Sequence, residues 1–385
     1  MGCSNSRMRR QVTDAMTVVH IASGDLYAGA EVQLYQLIRQ LHRSAQCKVS
    51  VILLNHGILE RRLSSLGVDV HVFDESRLYG IRIIFETWKL LRRIRPDVVH
   101  THRRKENVIG AVAAKLAGGM AIVQTVHGLP EEHFGFWAVA RRIYGMLDRM
   151  TARIFAARVV AVSPELGARL GFLRQPKVKV IENGIDTEEL ASESPLSEPL
   201  PGNVRCTKIA LVGRLVPVKR VDVFLGVALQ LVRRFPDRFC FFIFGDGPGT
   251  DALQELRNDL GLEHEVHFMG FRERLAPYLS LMDCLVITSD HEGLPMVLLE
   301  AMALNVPVVA HAVGGIPDVL GHGQFGVLVE HQDAAEYAAA IIDSVDDPQA
   351  TREKVEGARQ QVGHRYTASV CTARYMELYR SLSGS

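Results

Sequence analysis

From Met16 onward, short apolar runs alternate with stretches in which apolar positions recur at three- and four-residue steps. Residues 18–22, 49–54, 68–73, 98–101, 122–126 and 159–162 read as strands, with helical patterns such as 30–42 and 84–95 between them. That alternation predicts an α/β unit with a parallel, doubly wound sheet. A stretch rich in Ser, Pro and Glu, residues 191–202, follows neither period and reads as a surface linker. The alternation then resumes at 209–212, 239–244, 266–268, 284–288, 307–310 and 327–329, which predicts a second Rossmann-like unit. At 385 residues the chain exceeds what one core normally spans, so two domains are expected on size alone. The expected division is an extension at 1–15, a first domain at 16–190, a linker at 191–205, a second domain at 206–365 and a terminal segment at 366–385.

In open sheets of this kind, ligands bind beyond the carboxyl ends of the strands. Gly24, His102, His127 and Ser163 follow strands of the first unit, and Arg214, Gly245 and Glu292 follow strands of the second. All are expected at one interdomain cleft. The most informative segment is Ser289-Asp290-His291-Glu292-Gly293-Leu294-Pro295-Met296, which leads from a predicted strand into a predicted helix. Pro295 suits the first helical position, where a missing N–H costs nothing. The helix would start at Gly293 to Met296, where unpaired backbone N–H groups and the positive dipole end can hold a diphosphate. Glu292 would lie just outside that helix and Glu300 inside it, among Leu298, Leu299, Ala301 and Met302, where a mostly buried carboxylate needs partners. Carboxylates accept hydroxyl hydrogen bonds strongly, so one is expected to reach a hexose and the other a ribose. That is a site for a sugar nucleotide.

Glu292 and Glu300, eight positions apart with Gly-Leu-Pro between them, resemble the E-x7-E motif of the retaining glycosyltransferases of family four. Five further segments carry the resemblance. Val212-Gly213-Arg214-Leu215 with Lys219 is similar to the family's G-R-L-x-x-x-K segment, and Val313-Gly314-Gly315-Ile316-Pro317-Asp318 to its Gly-Gly turn. Asn183-Gly184-Ile185-Asp186, Ala28-Gly29-Ala30-Glu31 and Thr125-Val126-His127-Gly128 complete the series. The resemblance implies GT-B architecture, two Rossmann-like domains facing across a cleft, and a terminal helix crossing back to the first domain. It also implies that Arg214 and Lys219 hold the donor's phosphates, with Gly29 approaching them from the first domain. Ala28 stands where the family pattern has its first Gly.

The implied activity is transfer of a sugar from a nucleoside diphosphate to a hydroxyl of a glycan or lipid-linked acceptor, with retention, in envelope polysaccharide or glycolipid synthesis. Arg214 and Lys219 would matter most as the leaving diphosphate gains charge. His127 is expected to meet donor sugar or acceptor, whereas His100 and His102 are weaker candidates. Gly245-Asp246-Gly247-Pro248-Gly249 lacks the third Gly of a dinucleotide fingerprint, which argues against an oxidoreductase and leaves Asp246 as a turn residue. Base recognition is expected from backbone groups near residues 270–272. The alternatives are an epimerase of the same architecture and a non-catalytic scaffold. Retention of Glu292, Arg214 and Lys219 argues against the scaffold.

Composition adjusts this picture in three ways. Residues 1–190 hold 27 Lys and Arg against 18 Asp and Glu, while the remainder holds 17 against 25, so the near-neutral total conceals a basic half. That half suits an anionic membrane surface or a phosphorylated acceptor, and no basic, aromatic-interleaved motif suggests nucleic acid. The six cysteines show no metal spacing and read as small hydrophobes in a reducing cytosol. Without a D-x-D at a strand end, neither metal nor other cofactor is expected. No segment has the length and apolarity of a membrane span, so the expected location is cytoplasmic, with peripheral attachment at the inner face of the membrane. Met1-Gly2-Cys3-Ser4-Asn5-Ser6 fits an acylation pattern, with an upstream extension before Met16 as the plainer reading.

Overall fold

The computed structural model describes residues 15–44, 46–128, 137–173, 177–192, 196, 200–201 and 205–383. The acylation pattern at residues 1–6 and parts of the expected linker lie outside them. The first sheet has seven strands: β1 (Met16–Ala22), β2 (Cys47–Leu53), β3 (Asp69–Val72), β4 (Val98–His102), β5 (Ala121–Val126), β6 (Arg158–Ala161) and β7 (Val178–Val180). The second has six: β8 (Thr207–Val212), β9 (Phe239–Phe244), β10 (Val266–Gly270), β11 (Cys284–Ile287), β12 (Val308–His311) and β13 (Val327–Val329). Their orders are 3-2-1-4-5-6-7 and 10-9-8-11-12-13, and every pairing is parallel. Two parallel sheets with helical crossovers facing each other constitute the GT-B architecture. In each sheet the order reverses beside the first strand, β1 or β8, which is where a crevice opens.

Burial explains the apolar runs. Phe239, Phe241, Phe242 and Phe244 of β9 are all buried, because a parallel strand is covered by helices on both faces. The helix Gly29–Arg43 buries Leu34, Leu37, Ile38 and Leu41 at helical spacing. The helix Gly80–Ile94 ends at Arg95, whose left-handed backbone (φ 52°) closes the last turn. The final helix, Ala368–Ser383, lies on the first sheet and contributes Cys371, Tyr375, Met376 and Tyr379 to the core that holds Val18, Leu34 and Val98.

Two expectations need correction. Cys206 and Cys240 form a disulfide, their Cα atoms 5.7 Å apart, so they are not a pair of small reduced hydrophobes. They sit where the start of β8 runs beside β9, an adjacency that their separation of 34 residues conceals. Cys47, Cys284 and Cys371 are free and buried. Pro295 is the residue before the helix Met296–Ala303, not its first turn, because its ψ of 129° is extended.

Candidate functional site

The two domains enclose a cleft of about 1510 Å³, larger than the usual 300–1,000 Å³ of a pocket for one small ligand. Gly29, His127, Arg214, Lys219, Gly245, Glu292, Gly293, Leu294, Pro295, Met296 and Glu300 all line it. Gly24, His102 and Ser163 were expected there and do not line it. His102 and Ser163 are buried behind the wall, and Gly24 packs against the carbonyl of Asn55.

The second domain builds its wall from close backbone contacts. A Cβ on Gly245 would come within 2.0 Å of the Gly213 carbonyl oxygen, so this turn requires glycine to bring the ends of β8 and β9 together. Asp246 accepts a hydrogen bond from the Phe271 N–H at 2.8 Å, which fixes the loop after β10. Asp246 is thus the turn residue expected of it. The Gly314-Gly315 turn supports the segment that carries Glu292. Gly314 has φ +63°, a Cβ there would meet the Glu292 carbonyl oxygen at 1.9 Å, and the Gly315 N–H donates to the Gly293 carbonyl at 2.8 Å. Across the cleft, a Cβ on Gly293 would come within 2.1 Å of the His127 carbonyl oxygen. The Gly29 loop faces Met296, at 3.8 Å from the equivalent built position.

Polar groups converge on the same space. The Lys219 ammonium donates to Glu292 at 2.5 Å, and the Ser289 hydroxyl donates to the same carboxylate oxygen at 2.6 Å. Lys219 and Glu292, expected on phosphate and sugar respectively, are therefore joined in a partly buried pair. Glu300 is only partly buried, because it turns toward the cleft while Leu298, Leu299, Ala301 and Met302 turn into the core. Asn183 donates from its side-chain amide to the Leu294 carbonyl at 2.8 Å and so ties the interdomain segment to the donor-side loop. A Cβ on its neighbour Gly184 would meet the Thr367 carbonyl oxygen at 2.3 Å. The Asn183–Asp186 segment is therefore packed between the Leu294 loop and the residues that lead into the final helix.

Sequence reasoning missed two groups on the first-domain wall. Arg103 follows β4 and pairs with the buried Glu31 at 2.5 Å. Glu106 is buried, and that burial pushes its carboxyl up to about 7. Strand-end position was the available signal for Arg103; nothing marked Glu106. Burial, followed by the charge of Arg103, pushes His127 down to about 3, so its ring is neutral. His20, His100 and His102 place one nitrogen each within 4.8 Å of one another. The nitrogens of these rings bond to one another, to His127, to Tyr379 and to Thr125, and His20 Nε2 alone in the group lacks a partner among the described residues. Three rings with one open nitrogen do not make a metal site.

A helix start, two cations and two carboxylates line one cleft between the Rossmann-like domains, an arrangement able to hold an anionic, hydroxyl-bearing molecule. Sequence profiles of two families match the chain: Glycosyltransferase Family 4 over residues 27–189 and Glycosyl transferases group 1 over residues 206–347. The chain belongs to the family-four glycosyltransferases and is an enzyme of that class. It is 26% identical to an Escherichia coli UDP-Gal:alpha-D-GlcNAc-diphosphoundecaprenol alpha-1,3-galactosyltransferase, covering 86% of this chain and 88% of that one. It is 27% identical to a Bacillus anthracis N-acetyl-alpha-D-glucosaminyl L-malate synthase, covering 78% and 79%. The fold is shared with Anabaena HepE crystallised with UDP and glucose, at a TM-score of 0.81 and 22% identity over 95% of this chain and 100% of that chain.

Proposed function

We propose that this enzyme is a retaining transferase that moves a sugar from a uridine diphosphate donor to a hydroxyl of a lipid-diphosphate-linked sugar, in envelope glycan synthesis. The observation that carries this reading is the convergence of Arg214, Lys219, Glu292, Glu300 and the start of the helix Met296–Ala303 on one cleft. The UDP and glucose in that HepE complex, the UDP-glucose in another, and the galactosyltransferase relative support the choice of base and acceptor. In the step itself, the bond from sugar C1 to the leaving phosphate oxygen breaks as the bond from C1 to the acceptor oxygen forms on the same face. The acceptor's proton passes to the leaving phosphate. Arg214, Lys219 and the helix start stabilise the charge that collects there. With those groups in place, the reaction is proposed to proceed without a metal.

Attachment to an anionic membrane at the cytoplasmic face is part of the same proposal. In the helix Gly80–Ile94, Ile84, Trp88, Leu91 and Ile94 pack toward the core, so the apolar stripe is structural. At its start, however, Tyr79 and Ile81 are 89% and 85% exposed and Phe85 is 52% exposed, beside Arg77 and Arg82. An apolar tip flanked by cations suits a lipid headgroup layer. No helix among the described residues is long and apolar enough to cross a membrane. A thermal-shift series with UDP, GDP, ADP and the corresponding sugars tests the donor, because a ligand of the native state raises Tm. A shift with GDP or ADP and none with UDP refutes the uridine assignment.

A further inference from the structure

The helix Trp137–Ile154 buries small and polar residues and shows large apolar ones to water. Gly145, Thr151 and Ala152 are buried, whereas Ile143, Met146, Met150 and Ile154 are each about half exposed or more. These four recur at steps of three and four residues, so they form one stripe, about 17 Å long at the helical rise of about 1.5 Å per residue. A surface helix ordinarily carries polar residues on that face. Apolar side chains exposed singly are common and carry no meaning, but four aligned on one face of a helix whose other face is small mark a contact surface.

The stripe borders the interdomain cleft without lining it. Tyr144, Asp148 and Arg149 of the same helix do line the cleft, as do Arg104, Arg169 and Phe172. Arg104 reaches Asp148 at 3.9 Å, and Ala152 packs with Leu170 and Leu173, which brings the loop that carries Phe172 against this helix. Arg169 is held by Glu165 through two hydrogen bonds, whereas Arg149 is exposed and forms no ion pair among the described residues. Arg149 stands three residues from Met146 and four from Arg153, so two cations edge the stripe on neighbouring turns. From the cleft outward, this wall passes from polar groups to a cation and then to hydrocarbon.

We propose that the stripe Ile143, Met146, Met150 and Ile154 holds the apolar chain of the acceptor, with the acceptor's diphosphate at Arg149 and its sugar inside the cleft. The order along the wall is the order along such a molecule: hydroxyl-bearing sugar, anion, hydrocarbon. The assignment rests on the reading of the acceptor as a lipid-diphosphate-linked sugar and adds where its lipid lies. The exposed tip at Tyr79 and Ile81 belongs to the same layer, because the helix Arg104–Ala117 packs against both the helix Gly80–Ile94 and the helix Trp137–Ile154.

The test is calorimetry on the full chain with two soluble probes, farnesyl diphosphate below its micelle concentration and methyl diphosphate, with excess UDP present to occupy the donor site. The wild type should bind the farnesyl probe about tenfold more tightly or better, the effect of burying roughly two methylenes. Met146→Asp and Met150→Asp should remove most of that preference, and Arg149→Ala should weaken both probes alike. Equal affinity for the two probes in the wild type overturns the proposal whatever the variants do, and so does a preference that survives the Met substitutions in folded protein. A dimer that Met150→Asp dissociates in sedimentation velocity would make the stripe a contact between copies. Loss of vesicle binding in that variant with the probe preference intact would make it a bilayer contact; either result overturns the assignment. A chain preference that depends on the stripe, in an enzyme that transfers sugar to no diphosphate-linked acceptor, leaves the chain site standing and removes the acceptor reading. Transfer to such an acceptor with no dependence on the stripe does the reverse.

Discussion

Adding one methyl group at Gly293 tests the cleft more sharply than deleting a charge. In Gly293→Ala the new Cβ falls 2.1 Å from the His127 carbonyl oxygen and 3.0 Å from Val162 Cγ2, both in the opposite domain. Bringing the first distance to the shortest tolerable contact, 3.0 Å, requires the facing backbones to separate by about 0.9 Å. Neither partner is a flexible side-chain end, so the shift falls on the relative position of the two domains. A misplacement of about 1 Å between reacting groups costs on the order of 10²-fold in rate, or about 2.7 kcal/mol. The clash is relieved by opening the cleft, not by unfolding, so Tm should stay close to the wild-type value. The assay is the initial rate with a uridine diphosphate sugar and a diphosphate-linked acceptor, beside thermal denaturation of both proteins. A folded variant whose kcat/KM lies within about threefold of wild type would refute the reasoning.

Arg214→Ala and Lys219→Ala should depress kcat more than they raise the donor KM, since phosphate charge grows as the glycosidic bond breaks; a rise in KM alone would make these residues mere binders. Glu300→Gln should keep the fold and weaken donor binding by about 1.5–3 kcal/mol in calorimetry, and unchanged affinity would remove the proposed ribose contact. Activity should survive excess chelator; complete loss restored by magnesium or manganese overturns the metal-free reading. The protein should co-sediment with anionic vesicles at low salt, less at high salt and little with neutral ones, and Ile81→Glu should weaken that binding. The folded-state pKa of His20 is depressed from 6.5 to about 3, so its contribution to stability is present above pH 6.5 and lost as pH falls toward 3. Tm should fall below pH 6.5 and fall less steeply in His20→Leu; equal slopes would refute this linkage.

Twelve of the thirteen strands are legible as apolar runs, because a strand covered on both faces has little room for polar residues. The exception, β7, is a three-residue edge strand with Lys179 and Val180 exposed, too short and too polar to show a period. The helix at Met296–Ala303 is legible for a local reason, since its strand, turn and helix are contiguous in the chain, although it begins at Met296, the far end of the expected start. The pairing of Lys219 with Glu292 across 73 positions, and the disulfide between neighbouring strands, depend on sheet order, which a single chain does not reveal.

The group of histidines around His102 shows why such features resist a linear reading. His20, His102 and His127 span more than a hundred residues, and each alone is an ordinary buried or strand-end histidine. They meet because β1, β4 and β5 are neighbours in the sheet and because the register aligns one face of each. A polar row of this kind weakens a core unless its members satisfy one another, and here every internal nitrogen has a partner, from an imidazole, a tyrosine or a threonine. The final helix supplies one of those partners, Tyr379, and through Tyr375 a partner for Thr125, although it follows the second domain in the chain. Removing that helix would strip the cover from the histidine row and expose the rings to water. His100, whose Nδ1 meets the Tyr379 hydroxyl, would lose that partner and part of the burial that keeps its ring neutral, so the crossing helix bears on the polar core of the first domain as well as on its apolar one.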